Sequence, residues 1–322
     1  MSTQICWPAF VLICDNASPK TLLQLACLSK KHNKYLKSRE DYTLSVKATI
    51  MPNKLLLVSA RYNLLWLTEW SIAQGGKNYG QSLCEACLRG HIRIADRLIS
   101  NDPIYNTALR HACEGGHSAM IEWCVTHGAN SMNIALMGAC AGGHLDRAEW
   151  AVSQGGRNFN TGLYYACWRN HMIMAEWCVG QGARDFNQAF KGACRGGHTN
   201  MIEWCLDMGA NNYNDGLEGA CCGGHVEVAE ACRKRGANNI DRGFQMACTY
   251  GMLHTAVWCY NQGVKIPERG LYSACRHGHL HMVQWCLEKF GTYSTARKVA
   301  FDNNQTDVVR WLDSQRSGCV VC

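Results

Sequence analysis

The chain has 322 residues, with 32 lysines and arginines against 25 aspartates and glutamates, for a formal charge of +7. A surplus that small, not gathered into one tract, argues against a polybasic nucleic-acid binder and is an ordinary charge for solubility. Its 21 cysteines look like an extracellular disulfide scaffold at first count, but most recur at a fixed interval beside small apolar residues, where a thiol serves as a compact core side chain. No signal peptide is recognisable, because the apolar stretch Ile5 to Ile13 contains Pro8 and has no basic segment ahead of it. Reduced thiols and an intracellular, cytoplasmic location are therefore expected. No apolar run approaches the roughly 18 residues of a membrane span.

The first 50 residues stand outside the repeat described below. Trp7-Pro8-Ala9-Phe10-Val11-Leu12-Ile13 reads as a short apolar helix with proline near its start, followed by a turn near Asp15 to Pro19. Lys20 to Leu36 carries Leu22, Leu23, Leu25, Ala26, Leu28 and Tyr35 among lysines, the pattern of an amphipathic helix with a solvated basic end. Residues 1–50 are thus expected to form a helical N-terminal module.

The run from Trp7-Pro8 through Leu22-Leu23-Gln24-Leu25-Ala26-Cys27-Leu28-Ser29-Lys30-Lys31 resembles a short F-box. That resemblance implies binding to the adaptor of a cullin-type ubiquitin ligase, with Trp7, Pro8, Leu22, Leu23 and Leu25 as adaptor contacts and the rest of the chain recruiting substrate. Ala9 and Phe10 stand where the family carries an acidic residue. A helical cap for the array that follows is the competing reading.

From Leu55 a weakened repeat begins, with Leu64 at a position that later units fill with histidine. Ala-Cys pairs then mark the phase at Cys87, Cys113, Cys140, Cys167, Cys194, Cys221, Cys248 and Cys275, an interval of 27 residues after one of 26. A degenerate last unit begins near Ala296, for about ten units between residues 51 and 314, and a period in this range is the signature of a solenoid. The unit from Tyr213 to Asn238 is the clearest. Asn214 reads as an N-cap, and a first helix over about Asp215 to Cys222 turns Leu217, Ala220 and Cys221 inward. Gly223-Gly224 ends it, and a second helix over about Val226 to Lys234 buries Val226, Val228 or Ala229, and Cys232 before Gly236-Ala237-Asn238. Helices this short are marginal alone, so stability must come from stacking. The fold class expected is all-α, a solenoid of short antiparallel helical hairpins, with tryptophans such as Trp123, Trp177 and Trp204 filling gaps near the second helices.

The Gly-Gly-His-x-x-x-x-Glu-Trp and Gly-Ala-x-x segments of each unit resemble the ankyrin family, in particular the short repeats of large DNA viruses. The resemblance covers most of the chain. It implies a protein-binding scaffold, acting in the host cytoplasm if the chain is viral. Gly-Leu, as at Gly216-Leu217 and Gly270-Leu271, replaces the family's Thr-Pro-Leu-His, and each unit falls about six residues short of the family norm of 33. The shortening is expected in the projecting turn, so that family's finger-mediated contacts do not carry over.

Candidate chemistry recurs with the repeat. His91, His117, His144, His171, His198, His225 and His279 each lie four residues after the phase cysteine, and Cys-x-x-x-His invites a zinc reading. Stacking separates equivalent residues by about 9 to 10 Å, whereas ligands share one ion at about 2 to 2.3 Å. Structural histidines bonded to turn or neighbouring backbone are the expectation. A thiol protease needs one activated pair in one cleft, not seven copies. The ladder Glu69, Glu122, Glu149, Glu176, Glu203 and Glu230 reads as solvent-facing or backbone-bonding acids, and Cys221-Cys222 as free thiols. With no phosphate loop and no His-Glu-x-x-His, neither an enzyme nor a cofactor or metal is expected; a metal- or thiol-dependent enzyme and a nucleic-acid-binding solenoid are the alternatives.

Function is expected where the template is broken, on the first helices, which line the concave face in the resembling family. Tyr164, Tyr165, Trp168 and Arg169 form one cluster of residue types that dominate protein hot spots, and Lys191, Arg195, Tyr272 and Arg276 extend the candidate partner-binding set. At the end, Gln315 to Cys322 reads as a flexible tail. Cys319-Val320-Val321-Cys322 resembles a prenylation box with Cys319 as lipid acceptor, although the terminal Cys322 is outside the commonest choices, and one lipid would give reversible peripheral membrane attachment. A chance pattern in a cysteine-rich chain is the competing reading.

Overall fold

The computed structural model describes residues 50–99, 104–291 and 293–318. Expectations for residues 1–49, including Trp7, Pro8, Leu22, Leu23 and Leu25, and for Cys319 lie outside the described residues. The described chain is all helical, twenty helices in ten consecutive hairpins, a helical repeat solenoid. Its contacts divide it into two compact units, Met1–Arg157 and Asn158–Cys322. The first holds α1 (Ile50–Arg61), α2 (Leu65–Ala73), α3 (Tyr79–Arg89), α4 (Ile92–Arg97), α5 (Tyr105–Gly115), α6 (Ser118–Thr126), α7 (Met132–Gly142) and α8 (Leu145–Ser153). In the second, the first helices of successive hairpins are α9 (Phe159–Trp168), α11 (Phe186–Gly196), α13 (Tyr213–Gly223), α15 (Ile240–Tyr250), α17 (Pro267–His277) and α19 (Tyr293–Asp302). Their partners are α10 (Met172–Gly180), α12 (Thr199–Asp207), α14 (Val226–Lys234), α16 (Leu253–Asn261), α18 (Leu280–Phe290) and α20 (Thr306–Gly318), the last running past the residue where a tail was expected to begin. No described helix is long and apolar enough to cross a membrane.

One hairpin shows why the sequence folds this way. Leu217, Ala220 and Cys221 recur at helical spacing along α13 and are fully buried. Asn212 caps the helix, its side chain accepting from the Asp215 N–H at 3.3 Å. At the other end Gly224 takes a left-handed conformation (φ +85°), which lets the His225 N–H return to the Ala220 carbonyl at 3.0 Å. Helix α14 occupies the span read from the sequence and buries Ala229 and Cys232. Gly236, also left-handed, then returns the Ala237 N–H to the Cys232 carbonyl at 3.0 Å.

Asn214 is not the cap that local propensity indicates. It sits one residue inside α13, and its Oδ1 accepts from the N–H groups of Asn238 (2.8 Å) and Asn239 (3.0 Å) in the loop before the next hairpin. Asn106, Asn160 and Asn187 do the same 24 and 25 residues ahead, as does Asn53 in the first hairpin. Asp241 serves equally, reaching Lys265 and Ile266 at 2.7 and 3.0 Å. Each oxygen therefore satisfies two loop donors that no helix or strand would pair.

Within each unit the first helices press closely on one another while the second helices barely touch. Glycine permits that approach: a Cβ on Gly219 would collide with the Lys191 carbonyl of the preceding first helix, and one on Gly223 with the Arg195 carbonyl. The two glycines of Gly223-Gly224 therefore have separate tasks, close approach and helix termination. The first-helix row is therefore the more closely packed of the two in each unit. Between the rows lies a core of Ala, Cys and Leu, with Phe190 and Phe244 almost wholly buried, each such large side chain contributing about 1.5–3 kcal/mol. Tryptophans pack edge-on against the aromatic residue opening the same hairpin, as in Tyr105–Trp123 (6.1 Å), Phe159–Trp177 (6.0 Å) and Phe186–Trp204 (6.4 Å).

Two substitutions test this account. Asn214→Ala should accelerate hydrogen exchange at the Asn238 and Asn239 amides and cost about 0.5–1.5 kcal/mol, whereas Asn214→Asp should keep both protected, as Asp241 does. Gly219→Ala should destabilise by about 1–3 kcal/mol in denaturant unfolding. Gly180→Ala, whose added methyl meets nothing, should be neutral or stabilising by up to about 1 kcal/mol.

Candidate functional site

The histidine and cysteine ladders part company in the structure. His91 Nδ1 lies 2.8 Å from the Ala60 carbonyl, His198 Nε2 3.1 Å from that of Trp168, and His279 Nε2 2.8 Å from that of Thr249. Facing an oxygen, each of these nitrogens must carry the proton. The rings also cover the left-handed glycine of the preceding hairpin, His117 on Gly90 and His225 on Gly197. In the last hairpin Gln305 takes over, packing on Gly278 and donating to the Arg276 carbonyl at 3.0 Å.

The phase cysteines turn the other way, into the core. Several meet a cysteine on the second helix of the next hairpin: Cys167 and Cys205 sulfurs are 3.9 Å apart, those of Cys221 and Cys259 3.6 Å. Cys87 with Cys124, Cys194 with Cys232, and Cys248 with Cys286 repeat the pairing. Burial pushes the Cys113 and Cys275 thiols up to about 12 and Cys84 to about 11, so they stay protonated and unreactive at neutral pH. Among the described residues no three His, Cys, Asp or Glu side chains gather where they could hold a metal ion. The glutamate ladder points to solvent, all six side chains being exposed.

The breaks in the template converge on the exposed side of the first helices in the second unit. On α9, Tyr164 and Tyr165 meet edge to face at 5.1 Å, and Tyr165 lies 5.6 Å from Trp168. Arg195, one hairpin along on α11, donates to Tyr164 Oη at 3.1 Å. Its guanidinium carbon stands 4.0 Å from the Trp168 ring centre and 4.7 Å from that of Tyr250 on α15. Arg169 also lies over Trp168, at 4.6 Å. Burial raises the Tyr164 hydroxyl above its usual range despite the opposing hydrogen bond from Arg195. Three hairpins therefore meet at one guanidinium.

Five of the eight candidate positions, Tyr164, Tyr165, Trp168, Arg169 and Arg195, are brought together. Lys191 is drawn elsewhere, its ammonium 2.8 Å from Glu218 and 3.7 Å from Asp215. Burial lowers the Lys191 pKa, but Glu218 and Asp215 outweigh it and the net shift is upward. Glu218 also accepts from Asn239 at 3.2 Å and stands 3.7 Å from Arg242. Tyr272 and Arg276 sit further along on α17, where Tyr272 accepts from Thr295 at 2.8 Å and Arg276 is exposed. Tyr250, 37 % exposed, is the member that sequence reasoning missed. Its signal was present: it occupies the place where Gly196 and Gly223 stand in the two preceding units. In the first unit Arg110, at the register of Lys191, is likewise paired with an acid, lying 3.2 Å from Glu114.

No protein-family model matches the chain, and no curated protein matches it significantly.

The thiol assignment is open to direct measurement. Iodoacetamide at neutral pH should leave Cys113, Cys167, Cys221 and Cys275 unlabelled in the native protein and modify all four in denaturant, as read by peptide mass mapping. Native labelling at Cys113 would show that its sulfur stands open.

Proposed function

We propose that this chain is a non-enzymatic protein-binding scaffold built from short ankyrin-like repeats, and that a protein partner docks on the first-helix face of the second unit. One observation carries the reading: Tyr164, Tyr165, Trp168, Arg195 and Tyr250 break the repeat template and gather into a single half-exposed patch. Aromatic residues and arginine are the side chains that most often anchor protein interfaces, and a patch already ordered by its own contacts loses little conformational freedom on binding. The repeated histidines, thiols and glutamates are occupied or dispersed, which supports a scaffold over a metal- or thiol-dependent enzyme. Buried protonated thiols fit a reducing, cytoplasmic setting.

The N-terminal resemblance extends this reading to a substrate receptor, with Trp7, Pro8, Leu22, Leu23 and Leu25 engaging a ubiquitin-ligase adaptor and the repeats presenting the recruited protein. Lipidation at Cys319 would place the same scaffold at a membrane surface. Retention of purified adaptor by the full chain, and its loss on deleting residues 1–45, is the expected outcome for the receptor role. For the docking face, cross-linking of the full chain in cell extract should recover a partner whose yield falls at least about tenfold with Trp168→Ala or Tyr165→Ala, a loss of about 1.4 kcal/mol. Circular dichroism should confirm that both variants fold. Unchanged yield from folded variants would place the interface elsewhere.

A further inference from the structure

The charge state of the patch points to the chemistry of its partner. Most basic side chains on the first helices already have an acid: Arg61 and Arg89 share Glu85, Arg110 has Glu114, and Lys191 has Glu218 and Asp215. Among the described residues no carboxylate stands within ion-pairing distance of Arg195, whose neighbours are the Tyr164 hydroxyl and the rings of Trp168 and Tyr250. The nearest acids on the adjoining helix, Asp215 and Glu218, are held by Lys191 and Arg242. Along the row that follows the phase cysteine in this unit stand Trp168, Arg195, Cys222, Thr249 and Arg276, with no acid among them.

We infer that this face recognises an acidic segment of its protein partner, with an aspartate or glutamate carboxylate seated on the N–H edge of Arg195 left open by Tyr164. The inference rests on the protein-binding reading above and specifies its ligand. A guanidinium has five N–H donors in a planar fork, and Tyr164 takes one of them. The flanking rings hold the fork in place and exclude water from its sides, so a carboxylate meeting it gains a charge-assisted, two-pronged hydrogen bond in a poorly hydrated setting. Arg276, at the same register three hairpins on and exposed, supplies a second cation for the same segment. Single-stranded nucleic acid fits less well, because it needs open aromatic faces on which bases can stack. Trp168 is already overlaid by Arg195 and Arg169, and Tyr164 and Tyr165 are packed on each other.

The test uses the full chain and three fluorescent probes: a dodecapeptide of glutamate interspersed with leucine and tyrosine, its glutamine isostere, and an oligouridylate of equal length. The glutamate peptide should bind at least about tenfold more tightly than the isostere, with affinity falling as salt rises. Arg195→Gln should remove that preference, and Arg195→Lys should recover only part of it because lysine lacks the fork. Lys234→Gln, on the second-helix side, should change nothing. Equal binding of the two peptides, or no binding of either up to about 1 mM, overturns the inference, and because this comparison needs no variant it holds even if Arg195→Gln fails to fold. Tighter binding of the oligouridylate, lost in Arg195→Gln, overturns it in favour of nucleic acid. If only the acidic preference is missing while cross-linking still depends on Trp168, the docking face stands and its ligand chemistry is wrong. If cross-linking is also insensitive, both readings fall together.

Discussion

Backbone pressed on backbone is the contact that the rest of this molecule accommodates. The carbonyls of Lys191 and Arg195 lie where a methyl group on Gly219 or Gly223 would have to be, so successive first helices approach as closely as their peptide groups allow. That closeness fixes which side chains the interior accepts. Alanine and cysteine fit between the rows, the larger leucines and phenylalanines sit one turn away, and indoles are displaced toward the widely spaced second helices. It also underlies the candidate binding patch, where Trp168 and Tyr250, from hairpins three apart, both reach one arginine.

Residue types that look like chemistry when counted become joinery when placed. Thirty-one glycines and 21 cysteines are the composition of a chain whose neighbours must come close. Imidazoles close the seam at one end of the first helices where they bond the preceding hairpin's carbonyl, as at His198 and His279, and carboxamides close the other end by capturing two loop N–H groups. The thiols fill the middle.

Much of this was legible in the sequence because it repeats. The interval between Ala-Cys pairs gave the hairpin count, and the span of α14 follows from glycines that can mean little else. Asn214 was misread for a physical reason: capping is a local rule, and its two hydrogen bonds lie 24 and 25 residues ahead, beyond any local pattern. The pairing of asparagine with the following loop at a fixed offset, seen at Asn106, Asn160 and Asn187 alike, was the available clue. In the patch, the aromatic members announced themselves as departures from the template, but the fate of the charges did not. Whether a lysine faces solvent or a glutamate depends on the neighbouring hairpin, and so Lys191 and Arg195, four residues apart on one helix, end in opposite circumstances.

The carboxamide tie bears on how such a chain changes over generations. Asn53, Asn106, Asn187 and Asp241 make one kind of joint with whatever loop follows, so these hairpins offer their successors the same socket. Recombination that duplicates or deletes one whole period would present each neighbour with a surface it already fits. Drift at the few outward positions of the first helix would then leave the seams undisturbed.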